Sequence, residues 1–377
     1  MQLAARLSAH PVATVAGVWL LSRSALALTA IAAAANGGFT IRNAVGRWDV
    51  QHYITIANQG YENSNDMAFF PGLPLLLRAL NTIGIPMEYA GVLLSLLASG
   101  FAAAALGRMY GPLAAVLWLI APTAVFTTVG YTEALFCACA FWAWERASAG
   151  QWSAAGVLAA FAGMFRISGL FLWGALGLLA LQQSWRGGLW QRRSGELRHF
   201  ASKVVWLLLP LLVLGCYALY LHHLTGSWAA WWEAQQSGWG RTIQNPWDTL
   251  MRTIAATHPE SWPGRPEIPW IFRAEIASVA LGLGVVIVLA LRQRFSECGW
   301  IAVQLLAFGT SVWYISVNRA VLLWFPLFGL AAAAAQWAPA RPGLRIAWRV
   351  LSALGALASF GVLLVWGWLF YTAHWCS

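Results

Sequence analysis

Long apolar segments separated by short polar ones recur along almost the whole of this 377-residue chain. A helix that crosses a bilayer core needs about 20 predominantly apolar residues. The pattern therefore predicts an all-α polytopic membrane protein with about 11 transmembrane helices, in the range of roughly 9–13. The predicted single spans cover residues 11–35, 88–107, 111–129, 132–148, 203–223, 274–291, 299–317, 320–337 and 347–371.

One apolar stretch, residues 152–183, is too long for a single crossing. As one helix it would measure roughly 48 Å, whereas a bilayer core is about 30 Å thick. A single crossing would also place the Arg-rich loop 185–203 on the external side. Because Arg166 interrupts the stretch midway, we predict two short paired segments that meet there.

Two polar regions are too long for simple turns and are predicted to be large external loops. The first covers residues 36–87, and its apolar part at 68–85 is broken by Pro71, Pro74 and Pro86. That part fits a helix lying at the membrane interface. The second loop, residues 224–273, is rich in Trp and Pro, as expected near lipid headgroups. Both loops should contain short amphipathic helices within one membrane-embedded unit, residues 1–377.

The composition argues against a soluble globular protein, and the charge distribution gives no reason to expect a nucleic acid partner. With 60% hydrophobic and 10% charged residues, the chain differs from soluble globular proteins, in which about a quarter of residues are charged. The net charge of +10 requires no nucleic acid partner, because the predicted cytoplasmic segments carry the surplus, as the positive-inside rule expects. These segments contain Arg6, Arg108, Arg146, Arg186, Arg192, Arg193, Arg198, Lys203, Arg292, Arg294, Arg341, Arg345 and Arg349 against Glu145, Glu196 and Glu297.

The same charge distribution places both large loops on the external face. The chain has no Asn-x-Ser/Thr sequon, which favours a bacterial cytoplasmic membrane; in a eukaryote the corresponding site would be the ER membrane. The five cysteines lie in or beside apolar segments and match no disulfide framework or zinc spacing.

The candidate chemistry lies directly after the first span. If Trp48 to Ala57 is helical, Asp49, His52 and Tyr53 share one helix face. Asp49 is then either a catalytic carboxylate or a helix N-cap. His52 would orient Asp49, contact a sugar or simply sit at the interface with its hydrogen bond satisfied. Tyr53 is a packing residue or part of the site, and Trp48 is a wall of the site or a headgroup anchor.

These residues belong to a longer set of motifs. The set resembles the first luminal loop and later motifs of the PIG-V family, the GPI mannosyltransferase II group and its bacterial homologues, within the GT-C class. Two positions differ, because the family often has a larger residue in place of Gly72 and Asn before Gly169. The matching motifs are Trp48-Asp49-x-x-His52-Tyr53-x-x-Ile56-Ala57-x-x-Gly60-Tyr61, Phe69-Phe70-Pro71-x-x-Pro74, Ala121-Pro122-Thr123-x-x-Phe126, Tyr131–Phe136, Arg166–Gly169, Gln235–Arg241 with Pro246-Trp247, Arg319, and Phe325–Phe328.

The resemblance implies a GT-C fold and a sugar transfer on the external face. The donor would be a polyprenyl-phosphate hexose, with mannose as the first candidate, and the acceptor would be a hydroxyl of a lipid, glycan or protein. In the family the acid of the first loop is taken as the catalytic base, which corresponds to Asp49. The chemistry agrees, because an inverting transfer needs a carboxylate to accept the proton of the attacking hydroxyl.

A lipid phosphate requires cations in a place where water is scarce, and arginine suits phosphate binding. The candidates are Arg166, Arg241 and Arg319. Arg166 interrupts an apolar stretch, where an ionisable residue is costly, although it could instead pair with Glu133 or a backbone carbonyl. Arg241 could be an ordinary surface charge, and Arg319 could extend its charged end to the interface.

The sugar itself could be bound by polar side chains beside aromatic rings. Gln235 and Gln236, with Trp239, resemble such a surface, although interfacial anchoring also explains the tryptophans. Glu133 could bind sugar hydroxyls or an arginine, or merely complement a helix dipole. Neither metal nor cofactor is predicted, since Asp49 has no acid at i+2 and Glu62 and Asp66 are weak candidates for holding a cation with it.

Two other functions remain open. A transporter or flippase for lipid-linked sugars would also be apolar, but it is expected to show repeat symmetry and midplane polar residues. A membrane glycan ligase or phosphotransferase would use further cationic side chains near the phosphate, for which His222, His223 and His258 are candidates.

Overall fold

A computed structural model describes residues 10–187 and 195–376, which form helices and turns without a strand. Arg6, Arg192 and Arg193, part of the predicted cytoplasmic charge, lie outside these residues. The helices are α1 Pro11–Gly37, α2 Ile41–Val45, α3 Asp49–Gln59, α4 Gly72–Asn81, α5 Met87–Tyr110, α6 Pro112–Leu119, α7 Glu133–Ser148, α8 Trp152–Gly163, α9 Ser168–Gly187, α10 Glu196–Trp206, α11 Leu208–Thr225, α12 Ala230–Trp239, α13 Pro246–Ala255, α14 Glu267–Leu291, α15 Phe295–Gly309, α16 Val317–Ala320, α17 Phe325–Ala335 and α18 Pro342–Tyr371.

Several of these helices identify a polytopic membrane protein. Among the described residues, five apolar helical segments are long enough to cross a bilayer: α1, α5, residues 200–225, α14 and α18. The bent pair formed by residues 317–323 and 325–335 would be a sixth. The predicted number of about 11 is not confirmed, because segments such as 111–129 are broken into short pieces. There, α6 ends at Leu119 and a separate 3₁₀ helix covers Ala124–Thr127.

The predicted interruption at Arg166 is confirmed. Helix α8 ends at Gly163 and α9 begins at Ser168, so the 152–183 stretch forms two segments. The two helices approach closely at glycine: a Cβ on Gly169 would lie 2.5 Å from the Cα of Gly163. This approach explains why only glycine fits at position 169.

The chain divides into two compact units. Among the described residues, the first contains residues 10–50, Glu88–Phe141 and Leu322–Cys376. Its core is built by α1 against α6 and α18, with α17 also on α6. Arg23, buried in α1, donates hydrogen bonds to the Leu119 carbonyl at 3.4 Å and to Thr127 Oγ1 at 2.9 Å. It thereby ties α1 to the irregular segment after α6.

The second unit contains Gln51–Met87 and Trp142–Val321, within which residues 188–194 are not described. Helix α9 packs on α8 and α15, α11 packs on α8, and α14 packs on α15. The predicted interfacial segment 68–85 is helical as α4, over Gly72–Asn81. Helix α12, from the second predicted external loop, packs on the 3₁₀ helix Ser64–Ala68 of the first.

Candidate active site

Asp49 is the first residue of α3, so the predicted helix exists and places Asp49, His52 and Tyr53 at positions i, i+3 and i+4. Trp48 precedes it with a φ of 57°, a left-handed conformation that is uncommon for a residue with a side chain. The Asp49 backbone N–H donates a hydrogen bond to the Tyr131 hydroxyl at 3.2 Å. The start of α3 is therefore anchored within the first unit.

Tyr131 is itself held firmly. It is 2% exposed, and its ring contacts those of Phe126 and Phe370 at centroid distances of 5.1 and 5.7 Å. Glu133 follows two residues later in the first turn of α7 and is fully buried. The two acids that the sequence singled out in this unit, Asp49 and Glu133, are thus both positioned by the segment around Tyr131.

A cation that the sequence analysis did not single out lies two residues before Asp49. The Arg47 guanidinium carbon lies 4.4 Å from the centroid of the Phe39 ring. Its Nε is buried and has no hydrogen-bond partner among the described residues. Burial lowers the pKa of Arg47 from its usual value. Its position in the Arg47-Trp48-Asp49 run was the available signal.

His52 belongs to the second unit and pairs with an acid from the first loop. Its Nδ1 lies 2.7 Å from Oδ1 of Asp66, which is 2% exposed. The imidazole stacks on Phe69 with ring centroids 4.8 Å apart, and Trp239 lies 6.0 Å away. Tyr53 also meets Phe69, edge to face, at 5.0 Å. The sequence indicates Asp66 only as a weak candidate for a metal ligand and does not indicate this pairing.

The segment that carries Asp66 is fixed from several sides. The Tyr217 hydroxyl lies 2.9 Å from the Met67 carbonyl and 2.8 Å from the Phe69 carbonyl. Tyr61 also donates to the Phe69 carbonyl, at 2.8 Å. Burial raises the pKa of Tyr61, which keeps this phenol protonated as a donor.

Helix α12 supplies the remaining support. The Trp231 indole N–H and the Gln235 amide donate to the Ala68 carbonyl at 3.3 and 3.4 Å. The Ser237 hydroxyl donates to Asn65 Oδ1 at 2.8 Å. Gln235, predicted to bind substrate, therefore also has a structural hydrogen bond. Gln236, its neighbour, is exposed.

The first loop also packs on the interruption that contains Arg166. The Gly72 N–H donates to the Met164 carbonyl at 2.8 Å. A Cβ at Gly72 would lie 2.7 Å from that carbonyl oxygen and 2.8 Å from the Phe165 ring. The substitution of glycine for the larger residue that is common in the resembling family thus has a physical reason here.

The other two predicted arginines lie beside different elements of the second unit. Arg241 follows the left-handed Gly240 at the end of α12, and its guanidinium lies 5.5 Å from the Phe308 ring centroid. Arg319 lies in the short helix α16 and is 8% exposed.

Glu275 in α14 organises the turn before Arg319. This fully buried acid accepts hydrogen bonds from the N–H groups of Ser316 at 3.0 Å, Val317 at 2.8 Å and Asn318 at 3.1 Å. Glu275 was not predicted as a functional residue, although an acid within an apolar span is a signal for one. Within residues 10–187 and 195–376, no group of three or more His, Cys, Asp or Glu side chains is arranged to hold a metal ion.

Comparison with known proteins gives the family. The model of the mannosyltransferase (PIG-V) family matches residues 20–229, more than half of the chain. The chain belongs to this family. The matched region contains Asp49, His52, Asp66, Glu133 and Arg166. The remaining candidates, Gln235, Gln236, Arg241 and Arg319, lie beyond it.

Individual members of the PIG-V family show the same relationship over a shorter length. The chain is 34% identical over 151 residues to mouse GPI alpha-1,6-mannosyltransferase 2, a match that covers 35% of this chain and 31% of the mouse protein. The rat protein of the same name is 36% identical over 148 residues, and the human one 34% over 148 residues. The matches therefore span about a third of the length of these relatives.

Proposed function

We propose that this chain is a membrane glycosyltransferase that moves a hexose, with mannose as the first candidate, from a polyprenyl-phosphate donor to an acceptor hydroxyl. The family match over residues 20–229 carries this proposal, because it includes the first-loop acid Asp49. The acceptor is a lipid, a glycan or a protein, so the product belongs to glycolipid or glycoprotein biosynthesis.

In the proposed reaction, Asp49 is the general base. The acceptor oxygen attacks the anomeric carbon while its proton passes to the Asp49 carboxylate. The bond from the anomeric carbon to the phosphate oxygen breaks with its electron pair, and the lipid phosphate leaves as an anion. Attack opposite the leaving group inverts the anomeric centre. The anchoring of the Asp49 N–H by Tyr131 supports this role, because a base must be held in place.

The remaining candidate residues bind the two ends of the donor. Arg166, Arg241 and Arg319 are proposed to bind the phosphate, since a guanidinium matches phosphate oxygens. Trp48, Glu133, Gln235 and Gln236 are proposed to contact the sugar or the acceptor, together with His52 and Tyr53. The reaction is proposed to need no metal or cofactor.

The site is proposed to face the outside of a bacterial cytoplasmic membrane, in a GT-C arrangement of about 11 spans. The excess of arginine in the predicted cytoplasmic segments supports this orientation. Single-cysteine labelling with a membrane-impermeant reagent, in spheroplasts of a cysteine-free variant, tests it. A cysteine introduced by Glu62→Cys or Glu260→Cys should react with the reagent, and one introduced by Arg186→Cys should not. The reverse pattern would contradict the orientation.

The activity is tested with purified protein in lipid nanodiscs, polyprenyl-phosphate-mannose and a lipid or peptide acceptor extract. Asp49→Asn should lose at least about a hundredfold in rate, since general-base catalysis contributes about 10²–10⁴-fold. Asp248→Asn is the matched control, because Asp248 is an exposed acid of α13. It should retain the wild-type rate.

Each alternative gives a different result. Undiminished transfer by Asp49→Asn would remove this residue from the role of base. Transfer from a nucleotide sugar alone, or loss of transfer with a chelator, would contradict the lipid donor or the metal-free chemistry. Movement of the labelled lipid across the membrane without any transfer would favour a flippase, and transfer of a phosphate or whole glycan would favour a ligase or phosphotransferase.

A further inference from the structure

The Asp66–His52 pair fixes the proton of the imidazole. An ionised carboxylate only accepts hydrogen bonds, so the 2.7 Å contact from Asp66 Oδ1 places a proton on Nδ1 of His52. In neutral His52 the free lone pair must then lie on Nε2. Asp66 is itself held, because the Asn63 amide donates to its Oδ2 at 3.3 Å.

The other side of the ring is open to a ligand. The His52 side chain is 41% exposed, in contrast to the 2% of Asp66, and Nε2 makes no hydrogen bond within the part of the chain that the structure describes. Phe69 covers one face of the imidazole, and Trp239 lies tilted beside the imidazole and edge to face with Phe69. An acceptor atom beside aromatic faces suits the mixed polar and apolar surface of a sugar.

The local charge favours a neutral ligand over an anion. Asp66 lies against the imidazole, and Glu62 lies in the same loop. Within residues 10–187 and 195–376, the His52 and Asp66 side chains bond each other, their other side-chain hydrogen bonds and ring contacts come from Asn63, Phe69 and Trp239, and none of these comes from Lys or Arg. A phosphate bonded to His52 would lie beside the Asp66 carboxylate, whereas a hydroxyl donates to Nε2 at no such electrostatic cost.

We propose that Nε2 of His52 accepts a hydrogen bond from one hydroxyl of the transferred sugar and so helps to select the donor. Asp66 is a positioning residue that acts through His52. This inference rests on the proposed glycosyl transfer and deepens it, because it assigns recognition of a sugar hydroxyl to one nitrogen atom. A site built to bond a hydroxyl discriminates strongly against a substrate that lacks it.

Two substitutions separate the ligand contact from the structural one. In His52→Asn the amide replaces Nδ1, so the contact with Asp66 is kept while Nε2 is lost. In His52→Gln the amide extends to the place of Nε2. We expect His52→Asn to lower kcat/KM about tenfold or more at an unchanged thermal midpoint, since one hydrogen bond is lost. His52→Gln should recover part of that loss.

The donor series identifies the bond. Wild type and His52→Asn are compared with mannosyl donors lacking the hydroxyl at carbon 2, 3, 4 or 6 in turn. For one deoxy donor, the ratio of the wild-type to the variant kcat/KM should fall to near one, because that donor no longer has the hydroxyl that His52 binds. Asp66→Asn should show the same donor dependence, since its amide can donate to Nδ1 and reverse the tautomer.

The tautomer and a control complete the test. In protein labelled with ¹⁵N-histidine, Asp66→Asn should change the Nδ1 and Nε2 shifts of His52. His374→Asn, an exposed histidine that contacts Thr372, should keep wild-type activity. An equal loss with every donor, or an undiminished kcat/KM for His52→Asn, would overturn the inference while wild-type transfer still upheld the proposed function. Absence of wild-type transfer would overturn the proposed function itself, and this inference with it.

Discussion

The second unit contains two buried acids, Glu275 and Asp66, that bind different kinds of partner. Glu275 is fully buried and accepts hydrogen bonds from three consecutive backbone N–H groups, those of residues 316–318. Asp66 is almost as buried, but its turn is held from outside by α11 and α12, and its carboxylate holds the side chain of His52. The first carboxylate fixes the path of the backbone, whereas the second orients a histidine side chain that is partly exposed. Burial alone therefore does not distinguish an acid that holds the backbone from one that holds a side chain; the partner does.

Removal of the Glu275 carboxylate should give the largest loss of stability. Glu275→Ala removes the acceptor of three backbone N–H groups, two buried at Val317 and Asn318 and one half-buried at Ser316, and a buried N–H without an acceptor costs about 1–3 kcal/mol. We expect the free energy of unfolding to fall by at least about 3 kcal/mol. The measurement is the thermal midpoint in detergent, followed by tryptophan fluorescence. Glu260→Gln, at an exposed acid, is the control and should leave the midpoint unchanged. If the midpoint of Glu275→Ala were also unchanged, Glu275 would not be a structural acid and the difference from Asp66 would be lost.

The packing beside the Asp66 turn should be the next most sensitive. Gly72→Ala places a Cβ 2.7 Å from the Met164 carbonyl and strains the contact that also carries the Gly72 N–H bond. Overpacking of this kind costs about 1–3 kcal/mol. Gly174→Ala is the control, because a Cβ there meets nothing within 4 Å in the middle of α9. It should be neutral or slightly stabilising. Equal midpoints for the two variants would show that the first loop does not depend on this contact.

Asp66→Asn should affect activity more than stability, the reverse of what is expected for Glu275→Ala. An amide preserves most of the shape of the turn, and its partner His52 is partly exposed, so the loss of stability should be about 1 kcal/mol. In contrast to Glu275→Ala, this variant should lower kcat/KM markedly while lowering the thermal midpoint only slightly. The comparison uses kcat/KM with polyprenyl-phosphate-mannose and the thermal midpoint of the same preparation. Unfolding as severe as that of Glu275→Ala would mean that Asp66 is a structural acid like Glu275.

The apolar pattern predicted helices and interruptions that depend on neighbouring residues, and it missed contacts between residues that are distant in the sequence. It located α1 and, with the position of Arg166 and of the Arg-rich loop after it, the interruption at Arg166, because helix length and hydropathy are local properties. The number of spans was less predictable, since α6 ends after eight residues within a continuous apolar stretch. Glu275 binds a turn 41 positions away, and Asp66, which lies in a 3₁₀ helix, contacts His52 of α3. The spacing of apolar residues does not indicate such pairs.

The smallest predicted effect tests whether α12 merely rests on the Asp66 turn or helps to position it. Ser237→Ala removes the hydroxyl that donates to Asn65 Oδ1 at 2.8 Å, at an exposed position. Stability should fall by no more than about 1 kcal/mol, and Ser261→Ala, an exposed serine with one backbone hydrogen bond, is the control. Amide hydrogen exchange is the sharper measurement, because a looser turn opens locally before the unit unfolds. Exchange should accelerate in residues 64–68 and remain unchanged in residues 316–318. This result would place the support of Asp66 in α12, where Gln235 already bonds the same turn. It would thereby connect this second-loop helix to His52, whose ring lies 6.0 Å from that of Trp239.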